Sequence, residues 1–279
     1  MSLTIGLVQA DYGIDPLNNY EKTKRILRES YGEADLIILP EYSMSDPLQL
    51  AKPEEVIKIA EYIEDSTYLS KLSELAAEIS ASILAHFIEK APSEGKPLSS
   101  SVMIHPSGRF EKLYSKIHLF DAYGYKESLF FERGKSVSKS IVIRGLTTTV
   151  AICFDVRFPE LFRLYARMGS ELVIVHSGWV KGSIKEESLE FLVRSRAHEN
   201  TLWMVVANKW GERYVGRSMV VDPFGVKVFE LSIGESYGEY IVNKSRVYDA
   251  RKILPTVELS KALWKVELVD SNGIALQNL

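Results

Sequence analysis

Apolar positions along this chain fall into two alternating patterns. Short, nearly continuous apolar runs bounded by Pro, Gly or polar clusters read as buried strands. They are SLTIGLVQ (2–9), ADLIILPE (34–41, stopped by Pro40), ASILAHFIE (81–89), ELVIVHSGW (171–179) and TLWMVVANKWG (201–211). Between them lie stretches with apolar residues at helical spacing. YEKTKRILRESYG ends near Gly32, and residues 53–80 read as helix in two pieces. FPELFRLYARMG has Pro159 near its first turn and Gly169 as its stop, and SLEFLVRSRAHEN covers 188–200. Three segments carry hairpin punctuation instead. One is 100–116, turned at His105, Pro106, Ser107 and Gly108; another is 140–153, whose strands meet near Gly145. The third is RSMVVDPFGVKVFEL, turned at Asp222, Pro223, Phe224 and Gly225. A last strand and helix occupy 239–254, and the tail beyond is less regular.

Strands and helices alternate, yet several strand pairs are hairpins. This predicts an α/β fold with mixed sheets layered by helices, not a purely parallel doubly wound sheet. No repeat, low-complexity tract or Gly/Ser linker divides the chain, so a single domain over 1–279 is expected. Neither GxGxxG nor a P-loop pattern occurs, which removes the usual nucleotide fingerprints.

Composition narrows the class. A chain of 279 residues, 46% hydrophobic and 25% charged, can bury a large core and lacks the signature of disorder. A net charge of −3 with no Lys/Arg-rich block argues against nucleic acid as a partner. The N-terminus MSLTIGLVQADYG has no basic n-region, and no apolar run approaches the ~18–20 residues of a membrane helix. There is one cysteine, so neither an intrachain disulfide nor a multi-cysteine zinc site can form. A cytoplasmic location is expected, with no membrane partner.

That single cysteine is where the chemistry concentrates. Cys153 ends an apolar strand, is followed by Asp155 and Arg157, and precedes a helix by about six residues. At such a turn, backbone N–H groups and a helix N-terminus can stabilise a thiolate and a developing oxyanion. A cysteine nucleophile also needs a proton acceptor. None of His86, His105, His118, His176 and His198 can be paired with it from spacing alone, although His118 in KIHLFD is the most interesting. Glu41 follows the strand LIILP, where an α/β sheet delivers site residues and burial can raise a carboxyl toward the range of a useful base. Lys116 follows the strand FEKLYS, where its ammonium could hold an oxyanion.

Four fragments bring these residues together: LPEYS around Glu41, YSKIHLFD around Lys116, YKESLFFERG around Glu127 and VAICFDVRFPELFR around Cys153. In order and spacing they resemble the carbon–nitrogen hydrolase (nitrilase) superfamily. GLVQ, the SGW after a strand, RSRAHEN and SMVVDPFG extend the resemblance to about residue 230. It implies a four-layer αββα sandwich that dimerises or forms a larger homo-oligomer, with the tail from about 250 to 279 at the interface. It implies a catalytic set in which Glu41 is the base, Lys116 the stabiliser of the intermediate, Cys153 the nucleophile and Glu127 a supporting carboxylate. Neither metal nor organic cofactor is implied. CFDVRFPE and KIHLFD look like the omega-amidase and deaminated-glutathione amidase branch, which implies hydrolysis of a small carboxamide through a thioester. Tyr42, Phe154, Ser177 and Trp179 then become candidate substrate contacts. Arg157 either pairs with a substrate carboxylate or braces the turn through Asp155 or Glu160. YGYKES and WVKGSIKEE depart from the branch and bear on substrate identity. The alternatives are an N-carbamoyl hydrolase or nitrilase using the same residues, a non-catalytic scaffold keeping the fold, and a thiol redox sensor.

Overall fold

The computed structural model describes residues 1–50, 52–91 and 95–270. In chain order the first half holds β1 (Ser2–Gln9), α1 (Pro16–Ser30), β2 (Leu36–Ile38), α2 (Pro53–Ile59), α3 (Thr67–Ile79), β3 (Ser82–Glu89), β4 (Leu98–Ile104) and β5 (Phe110–Ser115). A small hairpin follows, β6 (Asp121–Ala122) and β7 (Tyr125–Lys126). Next come β8 (Ile141–Ile143), β9 (Leu146–Ile152), α4 (Pro159–Arg167), β10 (Leu172–Ser177), α5 (Lys185–Asn200) and β11 (Trp203–Asn208). The chain closes with β12 (Met219–Val221), β13 (Lys227–Glu230), β14 (Ser236–Asn243), α6 (Lys244–Ile253) and α7 (Thr256–Leu263).

Two six-stranded mixed sheets result, in the orders β14-β1-β2-β3-β4-β5 and β13-β12-β11-β10-β9-β8. β1, β2 and β3 are parallel, as are β9, β10 and β11, while the hairpin strands pair antiparallel. The period-2 geometry of strands sorts side chains by face. Leu3, Ile5 and Leu7 of β1 join Val150, Ile152 and Ile174 of the other sheet in one apolar cluster. Val8, Ile37, Ile83 and Phe87 instead pack under Leu27 of α1 and Leu69, Leu72 and Leu75 of α3. On the far side, Phe162 of α4 and Val193 of α5 cover the second sheet. The layers are therefore α, β, β, α. Each fully buried Leu or Ile in this stack contributes about 1.5–3 kcal/mol.

Local sequence explains where the helices begin. The Asp15 side chain accepts the Asn18 N–H at 2.8 Å to cap α1, and the Ser66 hydroxyl accepts from Leu69 N at 3.0 Å to cap α3. Pro159 opens α4, where a missing N–H costs nothing.

Three expectations need amending. The 34–41 run forms a ladder only over Leu36–Ile38, because Pro40 cannot donate and the chain turns away. The tail is more regular than its pattern suggests: α7 packs Val257 inward, against α4 and α5. The 121–126 hairpin was not expected, its turn being set by Tyr123 (φ 53°) and Gly124 (φ 81°). Residues 271–279, part of the tail assigned to an interface, lie outside the described residues. Among the described residues no helix is long and apolar enough to cross a membrane.

The two sheets are fastened by polar contacts beneath one end. His176 of β10 donates Nδ1–H to the Leu39 carbonyl at 2.6 Å, and its Nε2 meets Ser101 Oγ at 2.8 Å. A carbonyl can only accept, so the ring is protonated at Nδ1 and Ser101 donates to Nε2. The buried Lys209 ammonium reaches Asp46 at 2.5 Å, and Tyr214 donates to the same carboxylate at 2.8 Å.

Candidate active site

β9 stops at Ile152, and Cys153 follows with φ 43°, in the left-handed region. A non-glycine residue there stores about 1–3 kcal/mol of strain and is found where the surroundings over-determine it. Here a single 3₁₀ turn, Cys153–Arg157, links β9 to α4. Its Asp155 carboxylate accepts the Ile152 N–H at 2.9 Å. The Ser177 hydroxyl approaches the Cys153 sulfur at 3.8 Å from the end of the parallel neighbour β10.

Glu41 and Lys116 arrive from the other sheet, three residues past β2 and one past β5. The Lys116 Nζ donates to Glu41 Oε1 at 2.7 Å and to Glu127 Oε1 at 3.0 Å. All three side chains are at most 1% exposed. Two carboxyl groups share one ammonium in a site closed to water. The proton affinities follow. Burial raises the Glu41 carboxyl, and Glu127 pushes the same way against the pull of Lys116. Burial works to lower Lys116, but Glu127 and Glu41 outweigh it and hold it well above its ordinary value as an ammonium. Burial, followed by the Glu41 charge, pushes the Cys153 thiol up. The resting pair is a thiol hydrogen-bonded to a carboxylate of raised basicity, not a preformed thiolate.

Each member is held from behind. Gly178 N–H donates to Glu41 Oε2 at 2.9 Å. Glu127 also accepts from Phe120 N at 2.5 Å and from the Tyr42 hydroxyl at 3.3 Å. Tyr42, itself at φ 63°, donates its N–H to His86 Nδ1 at 3.2 Å. That makes Nδ1 the acceptor, so His86 Nε2–H points at Ser99 Oγ, 2.8 Å away. His86 and His176 are thus neutral, bonded scaffolding and not bases for the thiol.

A pocket opens above the sulfur, between Tyr42, Phe120, Phe154, Arg157, Trp179 and Lys185. Its empty volume is about 400 Å³, part of it open to solvent. Phe154 is wedged edge-on against Phe120 and Phe158. The Arg157 guanidinium stacks over Trp179 at 4.7 Å and its Nε has no hydrogen-bond partner. It pairs with neither Asp155 nor Glu160, so the bracing alternative is not what forms: Asp155 spends its oxygens elsewhere. Lys185 lies over the Tyr123 ring at 3.4 Å. Burial, aided by the Arg157 charge, lowers its pKa.

The structure therefore brings Glu41, Lys116, Cys153 and Glu127 into one cluster, with Tyr42, Phe154, Arg157 and Trp179 on the pocket wall. Glu127 stands behind Lys116, and Ser177 touches the sulfur. Sequence reasoning missed Phe120, Gly178 and Lys185. Lys185 sits in the divergent WVKGSIKEE stretch, which was legible as unusual but gave no hint that its first helical residue turns inward.

Fold and site together describe an αββα sandwich with a cysteine, a lysine and two glutamates gathered beneath one pocket. The sequence model of the carbon–nitrogen hydrolase family matches residues 4–248, and the chain belongs to that family. It is similar to a deaminated glutathione amidase of Escherichia coli O157:H7, 32% identical over 151 residues, spanning 54% of this chain and 58% of that protein. A nitrilase of Pyrococcus abyssi is 29% identical over 255 residues, covering 86% and 91% of the two chains. Among solved structures, the C. elegans NitFhit protein superposes with a TM-score of 0.85 at 26% identity, over 97% of this chain and 69% of that one. The protein is a carbon–nitrogen hydrolase.

Proposed function

We propose that this enzyme hydrolyses a small carboxamide bearing a carboxylate, releasing ammonia and the free acid through a Cys153 thioester. The observation that carries this reading is the convergence of Cys153, Glu41 and Lys116 on one pocket. Glu41 takes the thiol proton as the sulfur attacks the amide carbon, which suits a thiol and a carboxylate both raised by burial. The oxyanion forms against the Lys116 ammonium and the Phe154 backbone N–H. Collapse expels the amine, which leaves as ammonia with the proton from Glu41. Water then attacks the thioester, giving its proton to Glu41. The acid departs and the thiolate recovers that proton.

Two cations at the pocket wall, Arg157 and Lys185, make no ion pair among the described residues. They favour an anionic group on the far end of the substrate, a short chain away from the amide.

The test is ammonia release from neutral amides, omega-amides of short dicarboxylic acids, N-carbamoyl amino acids and nitriles, with Cys153→Ala as control. Release from the omega-amides, lost in the variant, is expected. Release confined to carbamoyl compounds, with carbon dioxide, or to nitriles would replace the amide reading. A Cys153→Ala protein that still releases ammonia would remove the thioester.

A further inference from the structure

Asp155 is fully buried two residues past the nucleophile and takes no part in the steps above. Its carboxylate faces four donors. Oδ2 accepts from Ile152 N–H at 2.9 Å and from the Tyr114 hydroxyl at 2.9 Å. Oδ1 accepts from His118 Nδ1–H at 2.7 Å and from His118 N–H at 3.3 Å. Tyr114 passes the connection on, its oxygen accepting from Ile117 N–H at 3.0 Å. The anchors are thus the residue before Cys153 and three residues on both sides of Lys116. β5 and β9 belong to different sheets, so no ladder hydrogen bonds set their separation.

We propose that Asp155 is a positioning residue that sets the reach between the Cys153 thiol and the Lys116 ammonium. It does so by tying the nucleophile's turn to both flanks of Lys116. Capping the turn alone would need only the Ile152 bond. The other three bonds serve no helix or strand, and all end on the segment that carries Lys116. The chemistry of the four partners also selects the residue type. Every one is a donor, and a carboxylate supplies acceptors on both oxygens. An asparagine would set its own N–H₂ against two of them whichever way it turned. A glutamate would add a methylene to a side chain that is already fully buried and would move both oxygens off these donors. His118 is held flat against Phe158, ring centroids 3.7 Å apart, so its Nδ1–H is pre-aimed at the carboxylate.

The role rests on the thioester reading for its consequence in turnover, but the placement of the thiol can be read without any substrate. The experiment compares Asp155→Asn and Tyr114→Phe with the parent enzyme, each checked for folding by circular dichroism. The first readout is the rate of Cys153 alkylation by iodoacetamide, followed by mass spectrometry. The second is kcat and KM on the best amide. A misplacement near 1 Å costs on the order of 10²-fold in rate. Asp155→Asn is accordingly expected to lower kcat by about 10²-fold and Tyr114→Phe by about tenfold, with KM moving less than about threefold. Alkylation slows in both, because the thiolate that forms as the thiol reacts no longer meets a placed ammonium. Folded variants that alkylate at the parent rate, or that lose activity through KM alone, would overturn the proposal. If Asp155→Asn does not fold, Tyr114→Phe decides on the same criteria. Failure of the thioester reading shows separately, as a parent enzyme that releases no ammonia or a Cys153→Ala variant that still does. The alkylation rates then still decide the role of Asp155.

Discussion

At the scale of single residues the site works by placing charge where water cannot compensate it. Glu41 is the clearest case. As a carboxylate with raised proton affinity it can accept from a thiol that is itself raised. Glu41→Gln keeps the shape and removes the basicity, so kcat is expected to fall by about 10²–10⁴-fold, measured by steady-state ammonia release. The sign for pH follows from the same shift. The base works only when deprotonated and its pKa lies above the ordinary carboxylate value of 4.5, so the acid limb of kcat/KM should lie above that value. A limb at or below it would count against Glu41 as the base. On the proposed reading Arg157 serves recognition and not bond breaking. A charge-assisted hydrogen bond is worth about 1.5–3 kcal/mol, so Arg157→Met should raise KM for an anionic amide about 10–100-fold. A neutral amide of the same length should be nearly indifferent, and comparison of the two KM values checks it.

At the scale of elements, precision depends on how strands end. Lys116 leaves β5 with its N–H on the Ser99 carbonyl at 2.8 Å, and its own carbonyl accepts Gly134 N–H at 2.8 Å. Gly134 is required there because a Cβ would stand 2.1 Å from the Ser115 carbonyl oxygen, a backbone atom with no room to yield. Gly134→Ala is expected to lose at least about 1–3 kcal/mol by urea unfolding and to lower kcat as the Lys116 segment shifts. Gly124, by contrast, meets nothing within 4 Å in the space a Cβ would occupy, and there it is the φ of 81° that would strain any side chain.

At the scale of the molecule, two buried imidazoles lie where the sheets meet. Burial lowers His176 to about 4, so the folded protein keeps the ring neutral while the unfolded chain protonates it near 6.5. The unfolded state therefore binds more protons below 6.5. The stability this ring protects is intact above 6.5 and is lost as pH falls toward 4. Between pH 7 and pH 5 it amounts to about 2 kcal/mol. His86, also lowered by burial, adds in the same direction, and Glu41, raised, opposes it. NMR of the His176 ring in the folded protein should show no titration between pH 7 and about 5. A midpoint near 6.5 would contradict the buried staple. Self-association stands as a proposal at this scale. α7 leaves Leu259, Leu263 and Trp264 exposed beside α4 and α5, an apolar surface of the kind that pairing copies cover. Light scattering should then give at least twice the 31.5 kDa chain mass.

The sequence by itself determined the strand and helix order, the mixed character of the sheets and the four fragments in which the site residues lie. These are local properties: an apolar run, a proline at a helix start or a turn signal acts on its near neighbours. Even so, it left α7 and the 121–126 hairpin unannounced, since their patterns are short and mostly exposed. Only the tertiary structure decided the rest. Glu41 and Cys153 stand far apart in the chain, and their meeting follows from how two separate sheets stack. The inward turn of Lys185, the freedom of Arg157 from its neighbouring carboxylates and the four-donor cradle of Asp155 all depend on that stacking. So does the raised basicity of Glu41, because burial and a shared ammonium are consequences of the assembled interior and appear in no single stretch of residues.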